Sequence, residues 1–89
     1  MDLELFRTFL EVERLRHFGN AAKELFVTQA AVSSRIRLLE KELGVSLFLR
    51  QTRQIELTPE GHRFKRYAER FVVEWRKARH DVSLGSDGQ

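Results

Sequence analysis

The sequence predicts a mostly α domain: three helices, a two-stranded wing and a long C-terminal helix. Three observations carry this. Thr28 to Gly44 reads T-Q-A-A-V-S-S-R-I-R-L-L-E-K-E-L-G, with Val32, Ile36, Leu39 and Leu43 at helical steps of four, three and four. Between Gly44 and Leu57 the apolar period falls to two, as in strands. From Thr58 a helix-start signal opens a stretch whose apolar residues recur every three or four positions as far as Val82. A short helix immediately before the first stretch and a basic hairpin immediately after it make a winged helix-turn-helix.

The first helix is predicted from about Asp2 to Leu15. Asp2 is a fair N-cap, Leu5, Phe6, Phe9, Leu10 and Val12 form a wide apolar face, and Arg14 and Arg16 suit the C-terminal end of the dipole. His17-Phe18-Gly19-Asn20 breaks that pattern. Gly19 is the expected N-cap of a second helix from Asn20 to about Phe26, with Ala21, Ala22 and Leu25 inward. Paired alanines allow another helix to approach closely. Phe26-Val27-Thr28 is a tight link to the third helix, which Thr28 caps and Gly44 ends in a left-handed conformation.

In the hairpin, Val45, Leu47 and Leu49 alternate with Ser46, Phe48 and Arg50, and Ile55 and Leu57 alternate with Gln54 and Glu56, about a tip at Gln51-Thr52-Arg53. Thr58-Pro59-Glu60 then supplies an N-cap, a proline at the first helical position and an acid in the first turn. A helix from there to Val82 is roughly 35 Å long, more than so small a core can cover. Phe64, Ala68, Phe71, Trp75, Ala78 and Val82 form a heptad seam on it, widened by Tyr67 and Val72. Only its first two turns are expected to fold back on the domain. The rest is expected to pair with a second copy of the chain, most simply antiparallel, because large Phe71 and Trp75 alternate with small Ala68 and Ala78. The expected organisation is residues 1–58 as the winged helix-turn-helix, 59–82 as the linker and dimerisation helix, and 83–89 as a flexible tail or truncation point.

The polar side of the third helix carries Ala30, Ser33, Ser34, Arg37 and Lys41, with Gln29 at its front edge. Small and hydroxyl side chains leave its first turns free to enter a narrow space. An amide there offers both a donor and an acceptor, and cations follow. That combination suits the major groove of duplex DNA. On the wing, Arg50 and Arg53 are unaccompanied by any acid between Gly44 and Ile55, as befits contact with phosphates or a minor groove.

Composition agrees and narrows the classes. The chain has 89 residues, 42% of them hydrophobic, which suits one small domain with a core. Its formal charge of +3 favours a polyanion only mildly, since 33% of residues are charged. Cysteine is absent, so there is neither disulfide nor thiolate chemistry, which is compatible with a reducing cytoplasm. No apolar run is long enough to span a membrane, and Met1-Asp2-Leu3-Glu4 is unlike a signal peptide.

Catalytic chemistry finds no support. Ser33 and Ser34 have no histidine near them in sequence and no nucleophile elbow around them. His17, His62 and His80 lack metal-ligand spacing and read as surface or turn residues. Glu40 and Glu42 flank Lys41 and read as solvated or locally paired. The five glycines form no phosphate loop. No enzyme, metal or cofactor is expected. A protein-docking module needs an apolar outer face on the third helix, which this one lacks. An RNA binder needs exposed aromatics, whereas Phe6, Phe9, Phe18, Phe26, Phe48, Phe64 and Trp75 all fit core or seam positions.

Taken together, F-x-x-F-L-E-V at Phe6 to Val12, H-F-G-N-A-A-K-E-L at His17 to Leu25, T-Q-A-A-V-S-S-R-I-R-L-L-E at Thr28 to Glu40, L-G-V-S-L-F-L-R at Leu43 to Arg50 and L-T-P-E-G at Leu57 to Gly61 resemble the DNA-binding domain of LysR-type transcriptional regulators. The resemblance covers Leu3 to Val82, and its specificity lies in the order and spacing of the pieces. Within the family the wording is most similar to the flagellar-regulon repressor type, through R-H-F-G and S-x-R-I-R. The resemblance implies a cytoplasmic, bacterial, sequence-specific DNA-binding homodimer, tetrameric at full length. It also implies a C-terminal domain that takes a small-molecule effector, for which this chain is too short. By motif, the base-reading residues are Gln29, Ala30, Ser33 and Ser34, beside Thr28, Arg35 and Arg37. Ala30 stands where Pro or Ser is usual and Ser34 where Arg is usual, so Arg35 or Arg37 is expected to take over some contact.

Overall fold

A computed structural model describes residues 3–50 and 54–87, the last four as backbone. Four helices and one two-stranded sheet follow in the order α1 (Leu3–Leu15), α2 (Phe18–Leu25), α3 (Gln29–Leu43), β1 (Phe48–Leu49), β2 (Glu56–Leu57) and α4 (Pro59–Asp87). This is the mostly helical winged helix-turn-helix that the sequence predicts. Among the described residues, no helix is long and apolar enough to cross a membrane.

The core forms where the apolar faces of α1, α3 and α4 meet. Phe9, Val12, Val32 and Ile36 are wholly buried there, and Leu47 closes the wing side. Phe9 is the hub, its ring 5.3 Å from that of Phe48 and 5.2 Å from that of Phe64. Ala21 and Ala22 are buried as their small size requires, bringing α2 onto α1 and α3. Arg14 ties α1 to α2 through Glu11 and Glu24, and its hydrogen bond to Glu11 holds the guanidinium above its ordinary value.

α3 runs between the two caps read from its sequence. Thr28 Oγ1 accepts from the backbone N–H of Ala31 at 3.1 Å, and Gly44 takes φ +76°. α2 departs from expectation. Its cap is His17, whose Nδ1 accepts from the N–H of Asn20 at 2.9 Å, so Phe18 and Gly19 lie inside the helix and Gly19 is not the cap. An imidazole acceptor two positions earlier satisfies the donor that a bare glycine leaves to water. The helix stops at Leu25 because Phe26 takes φ +58°, with its N–H directed at the carbonyls of Ala22 and Lys23. Phe26 is 93% exposed, contrary to the core or seam position expected of it. A left-handed residue turns its side chain away from the helix it ends, and a non-glycine residue adopts that geometry at a cost of about 1–2 kcal/mol.

The wing is shorter than the alternation implies. β1 and β2 pair antiparallel with Phe48 opposite Leu57 and Leu49 opposite Glu56. Phe48 and Leu57 point inward, while Val45 and Leu49 are exposed. Residues 45–47 precede the strand, so the two-residue period has no pleat to follow there. The tip Gln51-Thr52-Arg53 lies outside the described residues.

Thr58 joins the wing to α4. Its buried hydroxyl accepts from the N–H of Gly61 at 2.9 Å and donates to the carbonyl of Ser46 at 2.7 Å, and its own N–H donates to Leu47 O at 3.0 Å. Gly61 lies so close to the segment leading into β1 that an added Cβ would collide with the carbonyl oxygen of Leu47. α4 then packs on α1 well beyond two turns. Ala68 is wholly buried, Val72 is buried, and the Phe71 ring lies 4.9 Å from Phe6. Ala68 and Val72 therefore belong to this domain's own core and not to a seam awaiting a partner. The small Ala68 is what admits α1 so closely. α4 also continues five residues past the predicted end at Val82, so residues 83–87 are helical and not a loose tail. Propagation adds one hydrogen bond per residue fixed, which carries an established helix through a weak helix former.

Candidate nucleic-acid interface

α3 is braced on one side by α1 and α2 and on the other by the wing, and its front is left open. Thr28, Gln29, Ala30, Ser34 and Arg37 are exposed along it, and Ser33 is half-buried at its edge. A Cβ added at Gly19 would stand 3.4 Å from Gln29 Oε1, so the amide of Gln29 rests beside the start of α2. Arg37 and Lys41 form no ion pair among the described residues, leaving two exposed cations behind the small, polar first turns. This convex, hydroxyl- and amide-bearing ridge backed by cations meets the steric and hydrogen-bonding demands of a major groove.

Two of the expected cations face elsewhere. Arg35 turns toward α1, with Nη1 3.3 Å from Thr8 Oγ1 and 3.9 Å from Glu4 Oε1. Arg50 sits at the base of the wing, 3.2 Å from Glu40 Oε1, with its guanidinium 5.6 Å from the centre of the Phe18 ring. Both are thereby engaged in bracing α3. Arg53 falls outside the described residues.

Glu40 is the site residue whose part sequence reasoning missed. Far from being a solvated flank of Lys41, it accepts from the backbone N–H of Leu47 at 2.8 Å and of Phe48 at 3.4 Å, while its other oxygen holds Arg50. One carboxylate thus fixes the first strand of the wing to the body of α3. The only sequence sign is an acid on α3 seven residues before an unpaired strand start. Arg16 pins the opposite side, donating from Nη1 to Ile55 O at 3.4 Å.

The seam residues divide. Phe64 and Ala68 serve the domain, and Phe71 lies at its rim, 43% exposed. Beyond Val72, Trp75 is 49% and Val82 69% exposed, with Ala78 exposed between them. Tyr67, Phe71, Phe64 and Phe6 continue this apolar strip into an open groove of about 680 Å³, walled on its other side by Leu39, Leu43, Val45 and Leu47.

Among the described residues, no three His, Cys, Asp or Glu side chains gather as a metal site.

Comparison with known proteins agrees with this geometry. The model of bacterial regulatory helix-turn-helix proteins, lysR family, matches residues 3–62. The HTH-type transcriptional regulator HdfR of Yersinia pestis (strain Pestoides F) is 55% identical over 82 residues, covering 92% of this chain and 28% of the relative. The chain therefore spans 28% of the length of that curated relative. Among solved structures, a BenM_DBD/catB site 1 DNA complex superposes with a TM-score of 0.94 at 32% identity over the whole of both chains. Vibrio fischeri DarR in complex with DNA gives 0.94 at 34% identity, over 98% of this chain and 30% of the other.

Proposed function

This chain belongs to the lysR family of bacterial regulatory helix-turn-helix proteins, and from that premise we propose that it docks as a homodimer on two half-sites of duplex DNA and so regulates transcription. It is the DNA-binding domain of a transcriptional regulator. The observation that carries the finer reading is the open front of α3, small and polar at Gln29, Ala30, Ser33 and Ser34 and cationic at Arg37. Gln29 and the serine hydroxyls meet base edges, Thr28 and Arg37 meet phosphates, and the wing lies against the neighbouring backbone.

One such domain reads only a few base pairs, so specificity in a genome calls for two. The exposed strip of Phe71, Trp75, Ala78 and Val82 supports pairing through α4. In the full-length protein, pairs of dimers and a C-terminal effector-binding domain complete the regulator, which acts on DNA in the cytoplasm.

Selection of bound sequences from random duplexes, followed by titration at several salt concentrations, tests the reading. The expected result is a two-fold-symmetric site and an affinity falling with salt at about −0.9 in log–log slope per phosphate contacted. Affinity independent of salt, or no sequence enrichment, would overturn it.

A further inference from the structure

We propose that Phe26 is an apolar base-edge contact, its ring packing against the 5-methyl group of a thymine at the rim of the major groove. The inference rests on the DNA-docking reading of α3. The ring is 93% exposed, so it contributes almost nothing to the core. Its backbone is held at φ +58°, a region that phenylalanine avoids and that glycine or asparagine enters freely. The residue is thus unfavourable twice over for the isolated fold, in conformation and in solvation. The backbone is also firmly fixed, since the N–H groups of Phe26 and Val27 both reach back to carbonyls of α2. A fixed backbone presenting a bare ring is an arrangement for contact.

What the ring meets follows from its place in the chain. Only Val27 and Thr28 separate it from Gln29, the first residue of α3. Three peptide units span at most about 11 Å, less than the ~12 Å width of the major groove. With Gln29 at the base edges, Phe26 is within reach of the groove wall. The apolar features exposed there are thymine methyl groups, which favour an aromatic or methyl partner.

The experiment uses the 89-residue chain and the duplex that it selects from random DNA. Phe26→Asn and Phe26→Gly relieve the backbone, so both variants should unfold at the same temperature as the parent or higher. Both should nevertheless bind the selected duplex roughly fivefold or more weakly, and Phe26→Leu should retain most of the affinity. Replacing thymines one at a time by deoxyuridine should reveal a position where loss of the methyl group weakens the parent by a similar factor and leaves Phe26→Asn unchanged. Variants that bind as tightly as the parent, as expected if the ring instead docks a protein, would overturn the proposal. So would a deoxyuridine penalty equal in parent and variant at every position. If the parent selects no duplex at all, it is the DNA reading that fails.

Discussion

Glu40→Ala is the substitution with the largest expected effect outside the hydrophobic core. The Glu40 side chain is 13% exposed, and its acceptor for Leu47 N–H lies at 2.8 Å. Removing it strands a backbone donor of a residue that is itself wholly buried. A hydrogen bond to a charged group is worth about 1.5–3 kcal/mol, and an orphaned buried donor forfeits that with no return from water. The Phe48 N–H, at 3.4 Å, adds less. The ion pair to Arg50, whose side chain is 41% exposed, adds at most about 1 kcal/mol. The total is about 2–4 kcal/mol. In a domain of this size that lowers the melting temperature by about 10–25 °C. Glu40→Gln keeps a carbonyl oxygen for Leu47 and should cost about half as much, and Arg50→Ala should cost under about 1 kcal/mol. Urea unfolding at constant m-value is the assay. A Glu40→Ala protein within about 0.5 kcal/mol of the parent would refute the argument, as would a Gln variant as unstable as the Ala variant.

Other consequences can be checked in the same material. Gly61→Ala forces a methyl group onto the Leu47 carbonyl, and since that partner is backbone, a loss of about 1–3 kcal/mol in chemical unfolding is expected. Gln29→Ala should cost about 1–3 kcal/mol on the selected duplex and little on random DNA, measured by competition binding; equal losses on both would remove Gln29 from base reading. Trp75 lies beyond the residues of α4 that the core uses, so Trp75→Glu should leave the circular dichroism unchanged while halving the mass in light scattering and abolishing operator binding. A Trp75→Glu protein that remains dimeric would place the dimer contact elsewhere.

What could be read from the sequence was set by the range of the interactions involved. As helix caps, Thr28, Gly44 and Thr58-Pro59 act on donors and acceptors within four residues of themselves, and each does in space what its neighbours imply; the further bonds of Thr58 to Ser46 and Leu47 cross 12 and 11 residues and have no local sign. The buried stripe Val32, Ile36 and Leu39 follows from period alone, yet Leu43, next in the same series, is 42% exposed because it lines the open groove beside α4. Ala68 shows the reverse: a seam position by spacing, it is buried because α4 packs on α1 there, with Phe64 and Phe71 on either side of it in sequence stacked on Phe6. Arg35, Glu40 and Arg50 find partners at separations of 7 to 31 residues, which no local pattern reports. The capping role of His17 has no sign in the sequence, because imidazole is not among the preferred N-cap side chains. The open front of α3 was legible because it depends on what the helix lacks, namely bulk in its first turns.

The Thr58 hydroxyl has a mechanical consequence. It is bonded at once to the first turn of α4 and to the segment that leads into the wing, and Ala68 and Val72 clamp the same helix to α1 farther along. A rod held at both ends of a span cannot swivel within it. The recognition surface and the first four turns of α4 therefore move as one lever, with any pivot beyond Val72. α4 has 29 residues, and a rod of that length is roughly 43 Å long. In the proposed pair, the strip centred on Trp75 and Ala78 leaves an arm of roughly 25 Å from the crossing to the start of α4, so a tilt of about 10° there would swing that start by roughly 4–5 Å, more than one base-pair step. If the chain pairs through α4 as proposed, whatever alters that crossing angle shifts the spacing of the half-sites that the pair can grip, with no change in any residue that touches a base.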